Sequence, residues 1–145
     1  MFFFKKENIE VPKPKKGEVL IRQTAVGVNF IDVYQRTGLY PPPGGEFPAI
    51  LGSEGAGVVQ GVGGGVTGFR PGDKVAYTTP GGAYATHRVI DAEKLVKIPS
   101  GLQDDVIAAS MLKGLTAHYL IHDSFKVKAG DTVLVHAAAG GVGLL

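Results

Sequence analysis

The sequence VLVHAAAGGVG at residues 133–143 joins an apolar run to a glycine-rich turn. Residues 133–135 read as a β-strand covered on both faces, as parallel strands are. The turn matches the pattern G-x-G-x-x-G at Gly140 and Gly143, with Ala138 in place of the first glycine. Such a turn lets backbone N–H groups approach a pyrophosphate at the start of a helix. The stretch therefore predicts the first strand and glycine turn of an α/β dinucleotide-binding domain.

The same glycines have a second explanation, because a tight connection between packed elements also needs residues without a side chain. The residues favour dinucleotide binding, and both explanations stay open. One strand and a turn do not make an α/β domain, which needs several βα units. We therefore expect the chain to be the front part of a longer protein, and a free-standing module that ends at Leu145 is the alternative.

Upstream of this stretch, glycine and proline separate short β-branched runs. The chain has 22 glycines and nine prolines in 145 residues, and they lie at turns such as Pro71-Gly72. This spacing is typical of a barrel or sandwich of short strands. The predicted strands are residues 18–28, 55–62, 73–78, 83–90 and 93–98.

A helical pattern replaces the strand pattern after Pro99-Ser100-Gly101. From Asp104 onward the apolar residues recur at helical spacing, with Asp104 or Asp105 as the first cap. Gly114 interrupts the run, so we predict two short helices, the second capped by Thr116. We place the domains at residues 1–100 and 101–145.

Composition excludes several classes of function. The chain has no cysteine, so disulfides, thiolate catalysis and cysteine-bound metals are excluded. A formal charge of +2 is too small to argue for nucleic acid or an anionic membrane surface as a partner. No apolar run is long enough to span a bilayer, and the start, Met1 to Lys6, has no charged region ahead of its apolar residues. We expect a cytoplasmic protein.

Two other patterns carry little weight. His118 and His122 have the i, i+4 spacing of a metal-binding pair, but Tyr119 stands where H-E-x-x-H has glutamate, which favours a solvated helix face. No G-x-x-x-x-G-K-[ST] sequence occurs, which excludes a P-loop nucleotide site.

Five motifs occur in an order that matches a known family. They are GVNFIDVY with RTGLYP at residues 27–34 and 36–41, LGSEGAG at 51–57, FRPGDKV at 69–75, KGLTA at 113–117 and AAAGGVG at 137–143. Together they resemble the zeta-crystallin-type NADPH:quinone oxidoreductases, which are zinc-independent members of the medium-chain dehydrogenase/reductase superfamily. The short segment Met1–Pro12 departs from the family, which begins with an extra strand and a Gly-Gly-Pro turn.

The resemblance implies a mostly β, GroES-like barrel catalytic domain followed by the first strand and glycine turn of a truncated α/β Rossmann domain. It implies NADPH as cofactor, a quinone as substrate and a homodimer in full length. It also implies that no metal is bound, because zinc-dependent relatives have Cys at the place of Asn29 and His at the place of Ser53, and neither residue present here is a good zinc ligand.

Site residues follow from the same resemblance. The donors to the reacting substrate are Asn29, Tyr34 and Tyr40. The cofactor-binding residues are Asn29, Phe30, Asp32, Tyr34, Thr116, Tyr119, Gly140, Gly141, Val142 and Gly143. Each has a simpler explanation as well: a turn asparagine, packing tyrosines, a turn carboxylate at Asp32 and a helix cap at Thr116.

Other functions fit the same residues. A reductase of α,β-unsaturated carbonyls uses the same hydride geometry on a related scaffold, and a non-catalytic NADPH-binding protein is a further alternative. We expect the isolated 145-residue chain to have little affinity for the cofactor, and its exposed residues 133–135 to favour association.

Overall fold

The structure is a computed structural model that describes residues 5–145. Its centre is an antiparallel sheet with the strand order β4-β1-β2-β3-β5. The strands are β1 (Glu18–Gly27), β2 (Glu54–Val62), β3 (Lys74–Thr78), β4 (His87–Asp91) and β5 (Val96–Lys97). Val19, Ile21, Val59, Val75 and Tyr77 form the apolar core on one face of this sheet. Residues 1–4, on which the expectation about the chain start partly rests, lie outside the described part.

The mostly β domain is confirmed, with three corrections to its detail. Among residues 5–145 the sheet keeps two edge strands, β4 and β5, and is not a closed barrel. The strand predicted at 83–90 begins only at His87, because Tyr84 N–H instead donates to the carbonyl of Leu51 in a loop. The strand predicted at 93–98 is a 3₁₀ turn, Ala92–Lys94, followed by the two residues of β5.

A helix that the sequence did not predict follows β1. Helix α1 spans Phe30–Thr37, with Asn29 as its N-cap and Gly38 as its C-cap. Asn29 N–H donates to Asp32 Oδ2 at 2.9 Å, and Gly38 ends the helix at φ 80°, a left-handed conformation that glycine adopts without strain. Phe30 and Asp32, which the resemblance assigned to cofactor binding, therefore lie in the first turn of a helix.

A single helix replaces the predicted pair. Helix α2 spans Asp104–Tyr119 and continues into a π-helical turn at Leu120–Ser124. Its N-cap is Gln103, so neither Asp104 nor Asp105 has that role. Gly114 costs only about 1 kcal/mol inside a helix, which is too little to break it. Thr116 is not a cap, since its hydroxyl donates to the carbonyl of Leu112 at 2.8 Å within the same helix.

The predicted strand at residues 133–135 is not formed. Residues 133–135 are exposed, and turns at 136–139 and 141–144 follow where a helix start was expected. A strand is stabilised by its neighbour's backbone, and no described residue pairs with this segment. Within residues 5–145, the helices are all too short or too polar to cross a membrane.

Asp104 attaches the first turn of α2 to the sheet. Its Oδ2 accepts a hydrogen bond from the Thr24 hydroxyl on β1 at 2.7 Å, and its Oδ1 lies 2.8 Å from Lys74 Nζ on β3. The hydrogen bond from Lys74, followed by that from Thr24, lowers the pKa of the Asp104 carboxyl below its usual value. The charged form of Asp104 therefore stabilises the folded state.

Replacing Asp104 by asparagine is expected to lower the free energy of unfolding at neutral pH. The folded-state pKa is depressed, so this contribution is complete above the unfolded-state pKa of about 4 and disappears as the pH falls through the lower folded-state value. Urea unfolding at several pH values should show the wild-type and D104N curves converging in acid. The matched control is Asp105→Asn, whose side chain bonds only the neighbouring Val106 N–H among the contacts seen; equal acid dependence of the two variants would contradict the assignment.

Candidate functional site

A cluster of polar side chains lies where α1, β2 and α2 meet. We call it the buried polar cluster, and its members are Asn29, Asp32, Ser53, Glu54, Tyr84 and Lys113. Four segments far apart in sequence contribute to it. Buried polar groups are costly unless each finds a partner, so the pairing inside the cluster determines what it can do.

Glu54 is the centre of the cluster. It begins β2, is 0% exposed, and its Oε1 lies 2.6 Å from Lys113 Nζ on α2. The same oxygen accepts a hydrogen bond from Asn29 Nδ2 at 2.8 Å, while Oε2 accepts from the backbone N–H of Leu112 at 2.7 Å. A fully buried carboxylate thus has one cation and two neutral donors around it, which offset the cost of removing it from water.

Asn29 links Glu54 to the start of α1. Its Oδ1 accepts a hydrogen bond from Lys113 Nζ at 2.9 Å, opposite the bond from its Nδ2 to Glu54. An ammonium can only donate and a carboxylate can only accept, so these two neighbours fix which end of the amide is which. Nδ2 carries a second hydrogen, for which none of the residues 5–145 supplies an acceptor.

Asp32 supports the same corner from inside α1. It is 3% exposed and accepts hydrogen bonds from Asn29 N–H, from Ser53 Oγ at 3.2 Å and from Tyr84 O–H at 2.7 Å. Burial, and then the adjacent Asp32 carboxylate, raise the pKa of the Tyr84 phenol far above its ordinary value. Tyr84 is therefore a neutral donor that fixes Asp32.

An exposed aromatic face lies next to the cluster. Tyr34 and Tyr40 meet edge to face with their centroids 5.6 Å apart, and Phe30 lies 6.1 Å from Tyr34. Phe30 is 76% exposed and Tyr40 is 49% exposed. Phe30 directly follows Asn29 in the sequence. Exposed aromatic surface beside an anchored polar group is suited to a flat ring with an oxygen at its edge.

The glycine turn packs against α2 at Lys113. A Cβ placed on Gly141 would lie 2.7 Å from Lys113 Cδ, and one placed on Gly143 would lie 2.6 Å from the carbonyl oxygen of Ala138. Both glycines thus have a packing reason, which was one of the two explanations left open by the sequence. The turn itself is closed by a hydrogen bond from Gly140 N–H to Ala137 O at 2.7 Å.

The structure distributes the expected site residues over four places. Asn29 and Asp32 lie in the buried polar cluster, and Phe30, Tyr34 and Tyr40 form the aromatic face. Thr116 and Tyr119 lie on α2 beyond Lys113, with Tyr119 half exposed. The turn residues Gly140, Gly141, Val142 and Gly143 approach this helix through Gly141.

Sequence reasoning missed Glu54, Lys113 and Tyr84. The signal for Glu54 was present, because an acidic residue at the head of an apolar strand needs a buried partner. Lys113 opens the KGLTA motif, but nothing local identifies Glu54, 59 residues away, as its partner.

The chemistry of these donors does not favour a metal ion. Asn29 Oδ1 and Glu54 Oε1, which could serve as oxygen ligands, are both bonded to the Lys113 ammonium, whose charge would repel a cation. In the part of the chain that the structure describes, no three His, Asp or Glu side chains gather as metal ligands would. The ring centroids of His118 and His122 lie 4.5 Å apart, and no third such side chain of the described residues joins them.

Residues 15–100 match the alcohol dehydrogenase GroES-like domain, and the chain belongs to this family. The more specific resemblance found in the sequence, to quinone oxidoreductases, is also confirmed. The chain is 53% identical over 133 residues to a quinone oxidoreductase of Pseudomonas aeruginosa, covering 91% of this chain and 40% of that protein. It is 51% identical over 141 residues to a 2-haloacrylate reductase of a Burkholderia species, covering 94% and 42%.

Solved structures agree with these relatives. The crystal structure of an Escherichia coli quinone oxidoreductase complexed with NADPH superimposes with a TM-score of 0.90 at 42% identity, covering 95% of this chain and 42% of that one. The chain therefore spans about two fifths of the length of the relatives it matches.

Proposed function

We propose that this protein acts as an NADPH-dependent quinone oxidoreductase that transfers a hydride to a quinone without a metal ion. The observation that carries the proposal is the Asn29 amide, anchored between Lys113 and Glu54 beside an exposed aromatic face. The relatives described as quinone oxidoreductases, one of them complexed with NADPH, support the choice of cofactor and substrate.

Bound NADPH would supply the hydride, and the residues of this chain would supply binding and charge stabilisation. As the quinone gains the hydride, negative charge develops on its oxygen. The second Nδ2 hydrogen of Asn29 and the phenol groups of Tyr34 and Tyr40 are the donors we assign to that oxygen. The exposed faces of Phe30 and Tyr40 are suited to pack on the quinone ring or the nicotinamide.

The remaining assigned residues divide between contact and support. Thr116 and Tyr119 on α2, with the turn from Gly140 through Val142 to Gly143, are the groups we assign to holding the cofactor. Thr116 keeps acceptor capacity after its bond to Leu112. Asp32 is buried and accepts three hydrogen bonds, so we assign it to holding Asn29 and not to touching the cofactor.

Zinc independence belongs to the same proposal. A quinone is already electrophilic, so it can accept a hydride without a Lewis acid. An alcohol that gives up a hydride has a greater need of one. The Lys113 ammonium supplies a fixed positive charge at the corner where zinc-dependent relatives place a cysteine ligand. We further propose domains at residues 1–100 and 101–145, a cytoplasmic location and a homodimer for the full-length protein.

A second candidate is the reduction of an activated alkene next to a carbonyl. It is favoured by the 51% identity to a 2-haloacrylate reductase. Both reactions place negative charge on a carbonyl oxygen, so the same donors would serve. An assay of the full-length gene product on 1,4-quinones and on enones separates the two functions, with turnover measured as the loss of NADPH absorbance. Fast enone turnover without quinone turnover would select the alternative.

Replacing Asn29 by alanine is expected to lower kcat/KM for quinone by about 10²-fold, because one donor to the developing oxyanion is lost. The assay measures NADPH oxidation by the full-length gene product at several quinone concentrations. The matched control is Asn8→Ala at an exposed asparagine, which should keep wild-type rates. Equal rates for N29A and wild type would remove Asn29 from the chemistry.

A further inference from the structure

Lys113 contacts two members of the buried polar cluster at once. Its ammonium reaches both Asn29 Oδ1 and Glu54 Oε1, and its side chain is only 21% exposed. We propose that Lys113 is a positioning residue that locks the orientation of the Asn29 carboxamide, and that Gly141 is required because it leaves room for the Lys113 side chain. The catalytic part of this inference rests on the proposed function, whereas the structural part does not.

The fixed orientation of the Asn29 amide follows from hydrogen-bond chemistry. If the Asn29 amide rotated by half a turn, its NH₂ group would face the Lys113 ammonium and its oxygen would face the Glu54 carboxylate. Both contacts would then be repulsive, and the burial of Glu54 makes charges at this site interact strongly. In the observed orientation both are charge-assisted hydrogen bonds. The second Nδ2 hydrogen is thereby held in one place.

Lys113 depends in turn on the glycine turn. A Cβ on Gly141 would lie 2.7 Å from Lys113 Cδ and 3.0 Å from Cε, closer than carbon atoms approach. The lysine stem is flexible and would move aside, and we expect this movement to draw its Nζ away from Asn29 and Glu54. A side chain at position 141 should therefore disturb Asn29 without touching it.

The effect on catalysis is one of placement. An oxyanion donor contributes only when it is aimed at the position that the oxygen occupies in the transition state. With Lys113 present, the amide is aimed before substrate arrives, so no reorganisation is needed during the reaction. Without it, the amide samples both orientations, and part of the donor's contribution is lost.

The sequence offers a direct test, because asparagine occurs only at positions 8 and 29 of this chain. Labelling the 145-residue chain with ¹⁵N-asparagine gives two side-chain amide pairs in an NMR spectrum, and Asn29→Ser identifies the pair that belongs to Asn29. We expect Lys113→Met to shift that pair and to speed its exchange with water by at least about tenfold. Lys126→Met, the same change at an exposed lysine, should leave it unmoved.

The glycine part has its own matched pair. Gly141→Ala is expected to shift the Asn29 amide pair in the same direction as Lys113→Met. Gly114→Ala, one residue from Lys113 on the helix, has only Leu145 Cδ1 at 4.0 Å from its new methyl group and should leave the pair in place. If neither Lys113→Met nor Gly141→Ala changes the Asn29 amide pair, the proposal that Lys113 fixes the amide orientation is wrong.

A folding control guards against loss of the native state. Lys113→Met leaves Glu54 without its cation, so the double variant with Glu54→Gln removes both charges, while the new side-chain carbonyl can still accept from Asn29. If the single variant does not fold, the double variant carries the test, and it should show the same fast exchange of the Asn29 amide. A protected, unshifted pair in the folded double variant would overturn the proposal.

Kinetics of the full-length gene product complete the experiment. We expect Lys113→Met with Glu54→Gln to lower kcat for quinone by about tenfold with little change in the KM for NADPH. Adding Asn29→Ala should then lower kcat no further than Asn29→Ala does alone, because Lys113 acts through Asn29. Independent, multiplying losses would overturn the positioning role. If the wild type reduces no quinone, the proposed function is wrong, and the amide spectra still decide whether Lys113 fixes the orientation of the Asn29 amide.

Discussion

Replacing Glu54 by leucine is expected to remove about 3–5 kcal/mol from the free energy of unfolding, which is the cost of leaving a buried charge without its partner. The variant would strand the Lys113 ammonium and leave the Asn29 amide and Leu112 N–H without their acceptor. A domain of this size has roughly 5–15 kcal/mol in total. A large share of the stability would thus be lost, and urea unfolding followed by circular dichroism should show a lower denaturant midpoint.

Two comparisons make this result specific. Glu93→Leu, at a glutamate with 78% of its side chain exposed, should change the free energy of unfolding by less than about 0.5 kcal/mol. Adding Lys113→Met to Glu54→Leu should restore part of the loss, because the stranded charge is removed as well. An unchanged midpoint for E54L would show that Glu54 is not a charged, buried partner of Lys113.

Replacing Gly27 by alanine is expected to cost about 3 kcal/mol, at the upper end of what overpacking does. A methyl group there would overlap Glu54 Oε1 and the backbone carbonyl of Ala108. The carboxylate is held by Lys113, and the carbonyl belongs to α2, so the helix itself must move away from the end of β1. Thermal unfolding measured by circular dichroism gives the loss directly.

The control for that substitution is another glycine with open space around it. A Cβ on Gly64 would meet nothing within 4 Å, so Gly64→Ala should change stability by less than about 0.5 kcal/mol. Similar losses for the two variants would point to the general cost of replacing glycine in this chain. A small loss for G27A alone would mean that α2 does not press on β1 at this position.

The sheet could be anticipated from sequence because its signals are local. β1, β2 and β3 start or end within a residue or two of the predicted ranges, since turn residues such as Pro71-Gly72 bound apolar, β-branched runs. β4 was predicted too long because the backbone near Tyr84 is hydrogen-bonded in a loop. No local sequence pattern indicates such a bond.

Helix α1 shows how local preference can mislead. Its sequence FIDVYQRT is rich in β-branched and aromatic residues, which favour strands. The available signal was at its ends: Asn29 and Asp32 have the spacing of an N-terminal cap, and Gly38 follows the last turn. In α2 the error was to predict two helices, because Gly114 was given more weight than a cost of about 1 kcal/mol justifies.

The candidate site could be predicted only in part. The motifs identified Asn29 and the aromatic residues, since each lies in a contiguous string. The pair of Lys113 and Glu54 depends on the way α2 crosses the start of β2, a tertiary arrangement with no local periodicity. The prediction of a strand at residues 133–135 was wrong for a related reason. It was based on the composition of the segment itself, whereas a strand also needs a neighbouring strand to pair with.

The position of β1 between β2 and β4 has a consequence for synthesis on the ribosome. Of the strands that the structure describes, β1 emerges first, yet one of its edges is paired only when His87–Asp91 has left the exit tunnel. Until then its unpaired backbone could join a strand of another nascent chain. We therefore expect polypeptides interrupted before position 87 to aggregate or recruit chaperones, and those extended past position 91 to become resistant to protease.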